Sequence, residues 1–234
     1  LLAYLFAAAT YSLRSNNQSL NTFMKPILSG QKSATLFCKP VKTTHTNELL
    51  YLGQDESRQS KVSFRSLELE TDIEMLYDWV NQPYSKRFWQ LNGSKDLLYR
   101  TCQSVLDNPN AHSFIGCCND QPVCQVDLYN VAADELKDHT SHEPDDCGLH
   151  LLTIPPKQSS KGLSLLMLQH FIRFYFSFPQ ANRLFAEPDK ENTVANLLAK
   201  RAGFQLLKTI QLSYKTANLY SITREQFQSH FHER

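Results

Sequence analysis

Up to about residue 60 the hydrophobic pattern is weak. Clusters of Ser, Asn, Thr and Gln separate short apolar runs such as residues 34–38, and residues 54–60 read as a solvated linker. This part is expected to be an irregular N-terminal arm or a small β-rich piece. From residue 62 the pattern sharpens. Residues 62–67 alternate apolar and polar positions, as a strand does. Thr71 and Asp72 can cap a helix that carries Ile73, Leu76, Tyr77 and Val80 on one side, with Pro83 ending it. A second helix is predicted over residues 94–106, with Leu97, Leu98, Cys102, Val105 and Leu106 as its apolar face and a turn at Asn108-Pro109-Asn110 behind it.

Two strands, 113–118 and 123–128, flank a turn at residues 119–122. A polar loop over 133–146 leads into residues 148–154, whose nearly continuous apolar run predicts a central strand ended by Pro155 and Pro156. Polar residues 157–162 precede a strongly apolar helix over 163–172. A short strand at 183–186 follows, then a helix capped by Asn192 and carrying Val194, Leu197 and Leu198. It stops at Gly203, with Phe204 packing back. Strands at 205–214 and 218–222 and a short helix from Arg224 complete the chain. Helices alternate with strands only in the second half, which describes an α/β domain with a mixed sheet. The expected division is an arm or accessory segment over 1–60 and the α/β domain over 61–234.

Composition narrows the function classes. The 234 residues suit one good-sized domain with an appendage, and 41% hydrophobic residues supply a real core. Lys and Arg number 24 against 23 Asp and Glu, so the formal charge of +1 makes no electrostatic case for a nucleic-acid partner. The cysteines Cys38, Cys102, Cys117, Cys118, Cys124 and Cys147 match no zinc ribbon or finger and include no C-x-x-C. They read as reduced, mostly buried thiols of a cytoplasmic protein, with Cys117 and Cys118 on opposite faces of a strand. His139 and His142, with Asp138, Glu143, Asp145 and Asp146, resemble a metal cluster only loosely; a solvated loop is the reading, and no metal is expected. The apolar run over residues 1–9 is far shorter than the ~20 residues of a membrane span, so no span is expected. It reads as a helix or strand from a longer native N-terminus, with a signal-peptide remnant as the alternative.

Two stretches carry candidate chemistry. In the first, a strand ending at Ile154 is followed by a polar loop and a helix from Leu163. A helix N-terminus offers unpaired N–H groups and positive partial charge, so it can hold a diphosphate. Gly162 lets backbone approach a ligand, and Lys157 and Lys161 add charge. The same junction also serves as a plain turn. In the second stretch Asp189 lies just past a strand end. It is either a turn residue or a carboxylate at the mouth of the sheet, where open α/β folds bind ligands. His150 is either a core-facing histidine on an apolar strand or a base that titrates near neutrality.

The ordered combination of Asp78-Trp79-Val80-Asn81 with Phe88-Trp89, Gln125-Val126-Asp127-Leu128-Tyr129, Asp146-Cys147-Gly148-Leu149-His150-Leu151-Leu152, Glu187-Pro188-Asp189 with Asn192, Gly203-Phe204 and Tyr214-Lys215-Thr216-Ala217-Asn218-Leu219 resembles the GNAT acyltransferase superfamily. Within it the likeness is to the hydroxamate-siderophore branch, which includes the aerobactin N-hydroxylysine acetyltransferase and the mycobactin lysine N-acyltransferase. It covers residues 62–227. The resemblance implies a GNAT-like α/β fold: a mixed, mostly antiparallel central sheet flanked by helices. It implies an acyl-CoA-dependent N-acyltransferase, with acetyl-CoA or another acyl-CoA as co-substrate and no metal. The implied partner is a small-molecule amine or hydroxylamine acceptor, foremost an N-hydroxylated lysine or diamine acetylated to a hydroxamate. A homodimer stays open. The alternatives are an acyltransferase for plain amines and a non-catalytic binding module that kept the fold.

The resemblance makes His150 and Asp189 the catalytic pair. His150 would take the proton, and Asp189 would orient substrate or imidazole or accept a proton. It assigns CoA binding to Leu152, Thr153, Ile154, Lys157, Lys161, Gly162, Leu163, Ser164 and Asn192. It assigns acceptor binding to Trp79, Phe88, Trp89, Asp127 and Tyr129; for the three aromatics among them core packing is an equal reading. Lys215 faces a carboxylate, a phosphate or solvent. The sequence also departs from the family pattern. Ser159 and Ser164 stand where the phosphate loop usually has Arg or Gln and then Gly or Ala, and Ala199 stands where many members have a Tyr that protonates the departing thiolate.

Overall fold

In a computed structural model the chain is described over residues 49–155 and 160–232. The expectations for residues 1–48, and the one for Lys157, lie outside these. Eight strands form a single sheet: β1 (Leu49–Asp55), β2 (Ser60–Ser66), β3 (Ala111–Cys118), β4 (Gln121–Asn130), β5 (Cys147–Thr153), β6 (Arg183–Ala186), β7 (Gln205–Gln211) and β8 (Thr216–Thr223). Their spatial order is β1-β2-β3-β4-β5-β6-β8-β7. All neighbours are antiparallel except β5 and β6. The helices are α1 (Leu69–Val80), α2 (Pro83–Trp89), α3 (Lys95–Asp107), α4 (Leu163–Phe176), α5 (Thr193–Arg201) and α6 (Arg224–His232).

The sheet begins before the expected boundary. Residues 54–60, read as a solvated linker, are the end of β1, a tight turn and the start of β2. Asp55 Oδ1 accepts from Ser57 Oγ (2.7 Å) and from the Arg58 N–H (2.8 Å), which closes the turn. A division at residue 61 would cut this hairpin. The polarity that suggested a linker belongs to an edge strand whose Leu52 and Gln54 face solvent. Pro83 also acts differently from expectation. It opens α2 instead of only ending α1, because its fixed φ and missing N–H suit a first helical position.

Thr71 and Asp72, expected to cap α1, lie inside it: the helix opens at Leu69 behind Glu68, whose N–H donates to Asp72 Oδ2 at 3.0 Å. Other local signals are realised as the sequence reads. Ser94 caps α3 by accepting from the Leu97 N–H, and Asn192 caps α5 by accepting from the Ala195 N–H. Gly203 takes φ +96 to stop α5, and the Phe204 N–H reaches back to the Ala199 carbonyl. Asn119 and Asp120 take φ values of 50 and 63, the signature of a two-residue hairpin turn between β3 and β4.

The core lies on both faces of the sheet. Phe171 of α4 packs edge-on to Phe64 and Phe114 at 5.2 and 5.5 Å, so α4 covers that face. Arg65, next to Phe64 and hence on the other face, grips Asp72 of α1 through two 2.7 Å bonds. Helix α4 is buried almost all round, which is why its sequence is apolar without a polar stripe. Cys102, Cys117, Cys118, Cys124 and Cys147 are free thiols. Among the described residues no helix is long and apolar enough to cross a membrane, and no group of His, Cys, Asp or Glu could hold a metal ion.

Candidate active site

Strands β5 and β6 run parallel and pair only at Cys147↔Leu184 and Gly148↔Phe185. Beyond that point the chain after β6 turns to β8: the Asn218 N–H donates to the Pro188 carbonyl (3.0 Å), and Asp189 bridges Ala217. The sheet therefore splits, and a cleft of about 1080 Å³ opens along the split. Residues from β4, β5, α2, α5, the 133–138 segment and the β7–β8 connection line it.

His150 stands at the split. In register it faces Asp127 across β4 and β5, so both side chains leave the same face of the sheet. Its Nε2 lies 2.6 Å from Glu187 Oε1. Glu187 Oε2 accepts from the Tyr129 hydroxyl at 2.7 Å, and Lys215 Nζ approaches Oε1 at 3.5 Å. The carboxylate is buried, with 2% of its side chain exposed, while the imidazole keeps 26% exposed to the cleft. Tyr129 lies 5.1 Å and Trp89 6.3 Å from the imidazole, centroid to centroid.

The electrostatics follow from this packing. Burial works against the charge on His150, yet the adjacent Glu187 carboxylate prevails and holds the imidazole above its ordinary value. Burial likewise opposes the Glu187 charge, but His150, Lys215 and the Tyr129 hydroxyl together bring it down to about 2. Burial pushes the Asp127 carboxyl up, against bonds from Ser113 and Gln125 and the charge of His150. Asp134, also on the cleft, is raised first by burial. A neutral fraction of His150 can accept a proton, and Glu187 is placed to stabilise the imidazolium that results.

The structure brings most of the expected site residues to this cleft. His150, Asp189, Leu152, Thr153, Ile154, Lys161, Ser164, Asn192, Phe88, Trp89, Asp127 and Tyr129 all line it. Asp189 shares the cleft but does not meet the imidazole. Its Oδ1 accepts from the Glu191 N–H at 2.7 Å, a turn bond next to the α5 cap, and the carboxylate that touches His150 is Glu187. Gly162 and Leu163 open α4 at the edge of the cleft, with Gly162 at φ +78. Trp79 is a correction: it is 3% exposed, packed in the main core on α1 away from the cleft, because α1 turns its apolar side to the sheet.

Sequence reasoning missed the role of Glu187, although a signal existed. The paired positions of β5 and β6 differ by 37 residues, and so do His150 and Glu187. A parallel register alone places Glu187 level with His150, and Asp189 two residues further along. Lys215 faces a carboxylate, one of the readings open for it. Tyr84 of α2, not singled out in the sequence, donates its hydroxyl to the Thr153 carbonyl and ties α2 to the end of β5.

Comparison with known proteins adds family and fold. Residues 68–212 match the sequence model of a family described as acetyltransferase (GNAT) domain. The chain is 26% identical over 183 residues to the N(6)-hydroxylysine O-acetyltransferase of Escherichia coli, covering 76% of this chain but only 57% of that enzyme's length. It is 26% identical over 169 residues to the N-hydroxyputrescine acetyltransferase of Acinetobacter baumannii, covering 72% of this chain and 81% of that one. A crystal structure of an uncharacterized protein from Bacillus halodurans superposes with a TM-score of 0.74 at 26% identity, over 78% of this chain and 94% of that one.

Proposed function

The chain belongs to the acetyltransferase (GNAT) domain family, and from that membership we propose that it transfers an acyl group from acyl-CoA to the nitrogen of a small amine-like acceptor. The acceptor we infer is an N-hydroxylated lysine or diamine, converted in the cytoplasm to a hydroxamate for a siderophore that chelates iron. The observation that carries this reading is the Glu187-held imidazole of His150, standing in the cleft where β5 and β6 part.

Acetyl-CoA enters with its diphosphate against residues 160–164 and the N-terminus of α4, whose first turn no side chain caps. Its pantetheine arm follows β5 past Gly148, along the edge that β6 no longer pairs. The acceptor comes from the side lined by Trp89, Tyr129 and Asp134. Its nitrogen attacks the thioester carbonyl, a C–N bond forms, and the C–S bond breaks to release CoA. His150 takes the proton from nitrogen, and Glu187 balances the charge it acquires. Asp189 lies two residues beyond Glu187 on the same wall, and we assign it to orienting the acceptor.

The charge of the cleft suits an acceptor with a second amine, hydroxylated or plain. Asp127, Asp134 and Glu187 line the acceptor end, which suits a remote ammonium group on the acceptor. A hydroxylamine nitrogen is far less basic than a lysine amine and is neutral near pH 7, so it attacks without first losing a proton to solvent. The two hydroxylamine-named relatives support the hydroxylated choice.

The test is CoA release from acetyl-CoA with N6-hydroxylysine, N-hydroxyputrescine, lysine and putrescine as acceptors. Turnover is expected with the hydroxylamines. Turnover with plain amines alone would replace this acceptor assignment. His150→Ala is expected to lose about 10²-fold or more in rate, the usual share of a positioned base, and a variant with full activity would remove His150 from the chemistry.

A further inference from the structure

The loop that enters α4 lacks the Arg or Gln its family pattern places at the first position; Ser159 stands there. A guanidinium nevertheless reaches this loop from another part of the chain. Arg58, in the β1–β2 turn, donates from Nη1 to the Lys161 carbonyl at 3.0 Å across a separation of 103 residues. Its Nη2 occupies the space above Gly162: a Cβ at that position would stand 2.5 Å from it. Gly162 thus answers two demands, a φ of +78 and the close approach of Arg58.

The turn that carries Arg58 is fixed from below. Asp55 Oδ1 binds both Ser57 Oγ and the Arg58 N–H. Among the described residues no carboxylate lies within ion-pair distance of the Arg58 guanidinium or the Lys161 ammonium; the nearby Asp55 carboxylate is engaged by the turn itself. Ser160 and Lys161 of the same loop and Ser164 of α4 line the cleft. Arg58 lies outside the residues that match the family, 68–212, so no family motif assigns it.

We propose that Arg58 is a donor-positioning residue: its guanidinium holds the 160–162 loop in its left-handed turn and supplies, beside the diphosphate of acyl-CoA, the charge that Ser159 does not. This rests on the acyl-CoA reading above. A guanidinium suits the task because one of its N–H groups can bind the loop carbonyl while others remain for phosphate oxygens.

The experiment compares two acyl donors, acetyl-CoA and S-acetylpantetheine, which lacks every phosphate. Arg58→Ala is expected to raise KM for acetyl-CoA about tenfold with kcat unchanged, the worth of one charge-assisted hydrogen bond. Arg58→Lys is expected to recover part of the loss. With S-acetylpantetheine, wild type and Arg58→Ala are expected to give the same kcat/KM. Equal losses with both donors would make Arg58 a structural residue and overturn the proposal, as would an unchanged KM for acetyl-CoA. A wild-type protein that neither binds CoA in calorimetry nor consumes acetyl-CoA would instead overturn the acyl-CoA reading itself, and this proposal with it.

Discussion

Glu187 Oε1 meets His150 Nε2 at 2.6 Å, and this contact extends the parallel register of β5 and β6 past the last residues whose backbones pair. The pair thus occupies the first step of the split, where the two strands have separated enough to admit a ligand yet still lie within reach of a short side-chain bond. The separation also leaves the imidazole facing the cleft while the carboxylate stays buried.

With Glu187 in place, His150 titrates above its ordinary value. A base must be neutral to act, so kcat/KM rises with pH on a limb centred above about 6.5, the model-peptide value. Glu187→Gln removes the stabilising charge, leaving burial and Lys215 to disfavour the imidazolium, and the limb moves to lower pH. The maximal rate is expected to fall about tenfold or more, because the product imidazolium loses its partner. A pH profile of kcat/KM for both proteins checks this; an unmoved limb would dissociate Glu187 from the proton transfer.

Asp189→Asn keeps an oxygen to accept from the Glu191 N–H, so the turn before α5 is preserved. Its expected effect is a higher KM for the acceptor with the pH limb unmoved. The contrast with Glu187→Gln, measured on the same acceptor, separates orientation of substrate from tuning of the base.

Gly148 pairs with Tyr129 across β4 and β5, and a Cβ at 148 would come within 2.1 Å of Tyr129 Cζ. Gly148→Ala is expected to cost about 1–3 kcal/mol in urea unfolding, the usual penalty of overpacking. It also displaces the ring that donates to Glu187, so activity falls by more than the loss of folded protein accounts for. Rates normalised to folded fraction by circular dichroism test the second part.

His170 is 3% exposed, and its Nδ1 meets the Tyr51 hydroxyl at 2.8 Å. Burial first, and then the charge of Arg173, bring its pKa down to about 4. The folded state keeps this imidazole neutral while the unfolded chain binds a proton below about pH 6.5, so stability falls as pH drops from about 6.5 towards 4. The two values correspond to roughly 3 kcal/mol. His170→Gln is expected to flatten that part of the stability profile in urea melts between pH 7 and 4.

The architecture was largely legible because local rules and burial agreed. Ser94, Asn192 and Gly203 marked helix ends, and the apolar run ending at Ile154 marked a central strand. Two features hid. The edge strand β1 buries only part of its length, so its polar positions blend into the turn that follows. Helix α2 is a short piece of seven residues with one buried side chain, Ser85, so it carries no apolar period. At the site, His150 could be chosen from chemistry, but its partner depended on which carboxylate lies level with it across two strands that are far apart in sequence. Trp79 and Trp89 could not be told apart by residue type; the first belongs to the side of α1 that meets the sheet, and the second to a helix end that overhangs the cleft.

Between β3 and β4 the register slips once: Cys117 pairs with Pro122 but Gly116 with Cys124, so Val123 is an extra residue on β4. That bulge, and not the turn at Asn119 and Asp120 alone, sets the parity of every later position of the strand. Removing the extra residue would turn each later side chain of β4 upside down, sending Asp127 and Tyr129 toward α4 and leaving Glu187 without its phenol. A bulge far from the chemistry thus governs which way the reactive groups point.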